Sequence, residues 1–184
     1  MRNWLVLFFY IITLSALWIR PPDRLGYWIG CLLLFYFGVV VVIDIEHRLV
    51  LHPVSIVGAI SGLFVGFWLH GLWLTLAGGA AGFGIMLALY YLGALYARWM
   101  ARRRGEPLDE VALGYGDVNL AGVLGLILGW PGIIAGLVFA ILAGGIVSLI
   151  YIAIMFISRN YKPFTAIPYA PFLIFGATIL LYVF

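Results

Sequence analysis

Residues 133–157 read IIAGLVFAILAGGIVSLIYIAIMFI, an unbroken apolar stretch with no acid and no base. About 20 such residues make a helix long enough to cross the hydrocarbon core of a bilayer. An open sheet there would leave its edge amides unpaired, so the stretch is read as a membrane-spanning helix. Working outward, the same criterion finds six more runs, at residues 4–19, 25–43, 54–69, 72–97, 111–130 and 167–184. The connections at 20–24, 44–52, 70–71, 98–109, 130–132 and 158–162 are short and carry nearly all the charge. The expectation is an all-α, polytopic membrane helix bundle with about seven transmembrane helices, forming one domain over residues 1–184.

Composition agrees. Of 184 residues, 66% are apolar and 9% charged, and mean hydropathy is +1.17. Soluble domains hold about 45–50% apolar and about 25% charged residues, so too little polar surface exists to coat a water-facing globule. A soluble enzyme, a nucleic-acid binder and a disordered linker are all excluded on this ground. Cys31 is the one cysteine, which leaves no disulfide framework and no cysteine-based zinc site.

The net charge of +3 is informative through its placement. Arg2 precedes an apolar stretch in the manner of a signal peptide, but no small-x-small cleavage site follows it and Pro21 and Pro22 come next. The first run is therefore read as a membrane helix. With the amino terminus in the cytoplasm, Arg2, Arg48, Arg98, Arg102, Arg103, Arg104, Arg159 and Lys162 fall inside, and only Arg20 and Arg24 outside. That is the distribution expected when basic loops stay in the cytoplasm. The carboxyl terminus then lies outside.

Glu106, Asp109 and Glu110 share a connection with arginines and read as solvated or paired. Asp44 and Asp117 instead border long apolar sequence. A carboxylate at the bilayer centre costs about 2.5–3.5 kcal/mol on insertion scales, so such acids are functional candidates. The topology places Asp44 at the end of the second helix and Asp117 about two turns into the fifth, both near the inner face. Two such groups suit amide hydrolysis: one takes a proton from water while the other polarises the carbonyl and protonates the leaving nitrogen. Close carboxyl groups share a proton because both cannot easily ionise. The plainer alternative is that each acid neutralises an arginine, as Asp44 would with Arg48 one turn on. Gly114 and Gly116, just before Asp117, let an extended chain approach closely, and they serve helix packing equally well.

Three stretches then carry a resemblance. Ile43-Asp44-Ile45-Glu46-His47-Arg48-Leu49, Leu113-Gly114-Tyr115-Gly116-Asp117-Val118-Asn119-Leu120 and Ile167-Pro168-Tyr169-Ala170-Pro171-Phe172 resemble, in order, three motifs of the type IV prepilin peptidases. With their archaeal preflagellin relatives, these belong to the GxGD intramembrane aspartic proteases. The resemblance covers about residues 28–180. It implies Asp44 and Asp117 as the catalytic pair, with no cofactor and no metal. Gly114, Gly116, Glu46 and Pro168 are the candidate substrate contacts: the glycines leave room for an extended chain, and Glu46, with Glu106, Asp109 and Glu110, would attract a basic leader. The implied substrates are prepilin or pseudopilin leader peptides, short and basic, cut after a glycine and ahead of a hydrophobic helix. The implied setting is the cytoplasmic face of a prokaryotic inner membrane, with membrane lipid as the surroundings and no nucleic acid.

Departures accompany the likeness. Asn119 stands where the family has lysine, Pro53 is displaced from its usual place after the first acid, and Ala170 replaces a glycine. The larger bacterial members hold zinc with two CxxC pairs where this chain has only Cys31, so cleavage is expected and N-methylation is left open. Other features read plainly. Glu46, His47 and His52 lack zinc-protease spacing, and His70 reads as a solvated loop residue. No serine has a Gly-x-Ser-x-Gly setting. The glycines of 58–66 and 78–84 read as helix packing, and Trp68, Trp73 and Trp130 as interface anchors. The rival readings are a transporter or channel that uses the two acids for ions, and a non-catalytic pilus or secretion assembly factor. A transport site belongs near the bilayer midplane, whereas both acids map close to the inner interface.

Overall fold

The computed structural model describes residues 15, 17–19, 21–22, 24–47, 51–104, 114–158 and 168–183. Six helices follow one another there: α1 (Gly26–His47), α2 (His52–His70), α3 (Leu72–Arg104), α4 (Tyr115–Leu128), α5 (Gly132–Ile157) and α6 (Ala170–Tyr182). Residues 17–19 are helical ahead of them, and most of the run at 4–19 lies outside the described residues. No strand occurs among the described residues. Helices α1, α2, α3 and α5 are each long and apolar enough to cross a membrane. Helices α4 and α6, of 14 and 13 residues, extend only about 20 Å at 1.5 Å per residue.

Local chemistry sets the ends. Pro53 lies in the first turn of α2, where its missing amide costs nothing. That helix stops at Gly71, whose φ of 78° suits glycine and whose amide donates to the Phe67 carbonyl. Gly129, at φ 66°, closes α4 in the same way onto Gly125. Three boundaries correct the sequence reading. Helix α1 continues through Asp44 to His47, so the connection starts later than expected. Helix α3 runs on to Arg104, because arginine is a good helix former even where its charge suggests a loop. Helix α4 begins at Tyr115, because extended backbone at Gly114 (φ −75°, ψ 144°) interrupts the apolar run.

Helix α4 is the central element: Val118, Leu120, Ala121, Val123, Leu124, Gly125, Ile127 and Leu128 are all buried. Leu33 and Phe37 of α1, Met86 of α3 and Leu173 of α6 join them in one core. Burial among lipid tails brings little hydrophobic gain, so close van der Waals packing has to hold such helices together. Glycine supplies it. Any Cβ added at Gly78 would meet the backbone of Gly125 and Gly129, and one at Gly82 would meet the Ala121 carbonyl. Gly58, Gly62 and Gly66 of α2 likewise face Tyr36, Val123, Ile127 and Leu126, as their spacing suggested. Gly176 brings α6 onto the Gly136 carbonyl of α5. The Tyr182 hydroxyl ties the end of α6 to α1 by donating to the Gly30 carbonyl at 2.6 Å. Large apolar side chains such as Phe64, Leu149 and Phe156 point outward, as a lipid-facing surface requires. Trp68 and Trp73 are exposed on either side of the Gly71 turn.

The helices are unequal, and this positions everything else. The Tyr90 ring packs edge-on against Tyr115 at 5.9 Å, so the start of α4 is level with Tyr90 on α3. From that level α3 continues to Arg104, about 21 Å further at 1.5 Å per residue. Gly144 of α5 lies against Tyr169 and Phe172 at the start of α6, and α5 then continues to Ile157, about 20 Å further. No residue of α3 beyond Met86, and none of α5 beyond Gly144, is buried. Two long apolar prongs therefore overshoot the shorter helices at one end of the bundle.

Candidate active site

Asp44 sits near the carboxyl end of α1 and is 5% exposed; Asp117 is the third residue of α4 and is 8% exposed. The Asp117 amide donates to the Gly114 carbonyl at 3.1 Å, which starts the helix. Asp117 thus lies in the first turn, where free amides and the positive end of the helix dipole favour a carboxylate. This replaces the expected position two turns in. The Gly114 backbone amide is within hydrogen-bonding reach of the Asp117 carboxyl group, and the same carboxyl group feels the charge of Asp44. The Asp44 carboxyl group in turn reaches the backbone amide of Ala170 at the start of α6. Its Oδ2 is buried and has no hydrogen-bond partner.

Three elements distant in sequence therefore converge: the end of α1, the start of α4 and the start of α6. The alternation of the helices makes this possible, because each of these termini falls at the same end of the bundle. Tyr169 belongs to the same cluster. Its ring lies against Gly144 and Phe172, and its hydroxyl is within electrostatic range of Asp117. Tyr169 and Ala170 stood in the third family-like stretch without a role assigned to either; Pro168, just before them, is half-buried.

The remaining candidates separate. Gly114 is exposed and Gly116 half-buried, both beside Asp117. Glu46, two residues beyond Asp44 on a helix, is carried to another side of α1 and is exposed, so the structure does not bring it to the pair. Glu106, Asp109, Glu110 and Arg48 lie outside the described residues. His47 and His52 are exposed. His70 is not a solvated loop residue: it ends α2 half-buried, with its ring against Gly129 and within hydrogen-bonding reach of the Ile127 carbonyl. The last carbonyls of α4 lack helical partners, and His70 supplies a donor there. Asn119 faces away from the acids. With His52, Ser55, Phe83 and Leu126 it lines a groove of about 350 Å³ between α2, α3 and α4.

Relative to the neighbouring helices, both acids lie about 20 Å short of the ends of α3 and α5. The α5 overshoot carries no charged residue up to Ile157, and its Leu149, Ile150, Ile152, Ile154 and Phe156 are exposed.

Comparison with known families settles the kinship. The model of the type IV leader peptidase family matches residues 28–149. The chain belongs to this family. The matched region of this leader peptidase family member contains both Asp44 and Asp117 and stops before Tyr169 and Ala170. No curated protein and no solved structure gave a match.

Proposed function

We propose that Asp44 and Asp117 are the catalytic pair of an aspartic endopeptidase. It removes short basic leaders from type IV prepilin-like or pseudopilin proteins. The observation that carries this reading is the meeting of two buried, electrostatically linked carboxyl groups from α1 and α4, one oxygen of which has no partner. Such an oxygen is open to a water molecule or to the amide of a substrate.

In this mechanism the pair shares one proton. The ionised carboxylate takes a proton from water, whose oxygen attacks the scissile carbonyl carbon. The protonated partner gives its proton to the carbonyl oxygen. Collapse of the tetrahedral intermediate returns that proton to the pair while the leaving nitrogen is protonated, and the C–N bond breaks. Gly114 and Gly116 leave room for an extended substrate backbone beside Asp117, and the Ala170 amide, two residues after Pro168, borders Asp44. The pair acts from the cytoplasmic side of a multi-pass protein in a prokaryotic inner membrane. The amino terminus is inside, and seven helices include the run at 4–19.

An ion-transport reading uses the same two acids. Family membership favours hydrolysis. The deciding experiment incubates a peptide comprising a basic leader, a glycine and a hydrophobic helix with wild type, Asp44→Asn and Asp117→Asn in membranes. Leader release by wild type, lost in both variants while each still inserts, is expected. Equal cleavage by either variant removes that residue from the chemistry. No cleavage by wild type across several pilin-like leaders overturns the peptidase reading.

A further inference from the structure

The overshoot of α3 ends in a sequence unlike the rest of the helix. Residues 87–95 are apolar, and Tyr96, Arg98, Trp99, Arg102, Arg103 and Arg104 then follow within little more than two turns. Arg98, Arg102 and Arg103 are exposed, and Trp99 is 46% exposed. The Arg103 guanidinium lies over the Trp99 ring at 4.0 Å, and Tyr96 packs beside the same ring. Arg98, Arg102 and Arg103 have no carboxylate partner among the described residues. Because nothing beyond Met86 on α3 is buried, this segment does not pack onto the body of the bundle.

We propose that the end of α3, from Tyr96 to Arg103, is a docking surface for anionic phospholipid headgroups. Three observations identify the occupant. Along the helix an apolar stretch gives way to interleaved aromatic and basic residues, as on leaving hydrocarbon for headgroups. The neighbouring overshoot of α5 is apolar and exposed to its end, so the surroundings at this level are lipid rather than water. The charge is of one sign, which complements an anionic lipid surface and repels a basic peptide. Stacking on Trp99 holds the Arg103 guanidinium along the helix, where phosphate oxygens can accept its hydrogen bonds in pairs. This surface does not depend on the proposed peptidase chemistry.

The test reconstitutes the full chain in phosphatidylcholine vesicles carrying spin-labelled phosphatidylglycerol or phosphatidylcholine and compares how much of each label is motionally restricted. Wild type is expected to hold the anionic label several-fold more strongly at low salt. The preference falls in R98Q/R102Q/R103Q, by up to about fivefold for each arginine lost. It persists in R98K/R102K/R103K and weakens at high salt. No preference in wild type refutes the proposal. An undiminished preference in the glutamine variant leaves the arginines to some other partner and refutes it as well. Loss in the lysine variant rules out a contact based on charge.

Discussion

Alanine at Gly78 is expected to destabilise the bundle, whereas alanine at Gly84, six residues along the same helix, is expected to leave it unchanged or slightly firmer. A Cβ at Gly78 comes within 2.5 Å of the Gly129 carbonyl carbon and 2.7 Å of its Cα, with the Gly125 carbonyl closer still. All three are backbone atoms and cannot rotate aside. Ordinary contact starts near 3.4 Å, so α3 and α4 must part by most of an ångström. Forced repacking of this kind costs about 1–3 kcal/mol, and the lost contacts along the seam add to it. The better helix propensity of alanine returns at most about 1 kcal/mol. The net loss for Gly78→Ala is then about 1–2 kcal/mol. At Gly84 nothing lies within 4 Å, and only the propensity gain remains. Reversible unfolding in mixed micelles with increasing denaturing detergent, followed by far-ultraviolet circular dichroism, measures both variants against wild type. Equal midpoints for the two variants would refute the claim that glycine backbone contact holds α3 to α4.

Thr75 is fully buried, and its hydroxyl has no hydrogen-bond partner. Thr75→Val keeps the shape and removes the unsatisfied group, so the same unfolding assay should show a gain of about 1 kcal/mol; a loss would mean the hydroxyl is satisfied in the membrane. Tyr182→Phe removes the 2.6 Å hydrogen bond to Gly30 and should cost about 0.5–1.5 kcal/mol, without changing cleavage of a leader peptide. Asp44→Asn and Asp117→Asn should each lower kcat/KM by about 10²–10⁴-fold, and the double variant should be little worse than the weaker single, because groups that act as a unit are not additive. Multiplying losses in the double variant would show that the two acids act separately.

The helices were legible where punctuation was strong. Gly71 and the Trp130–Gly132 turn fixed the ends of α2 and α5 to within a residue or two, because glycine and proline change what the backbone can do. The end of α3 was missed because Arg98–Arg104 reads as loop by charge, although arginine propagates a helix readily. The start of α4 was missed because one extended glycine inside an apolar run leaves hydrophobicity unchanged. Topology put Asp44 and Asp117 at the same end of the bundle, which followed from helix alternation alone. How far they lie from the ends of α3 and α5 was not legible: it depends on which residues of neighbouring helices stand level, and Tyr90 against Tyr115 is a tertiary contact. His70 was misread for a similar reason, since what half-buries its ring is Gly129, at the end of another helix.

Helices α4 and α6 carry Asp117 and the amide that faces Asp44, and both are about a third shorter than the roughly 30 Å of hydrocarbon around them. A bilayer meets such a mismatch by thinning locally. A dimple centred over the starts of these two helices would draw water and headgroups down to acids that a membrane of uniform thickness would seal off, while α3 and α5 hold the full thickness on either side.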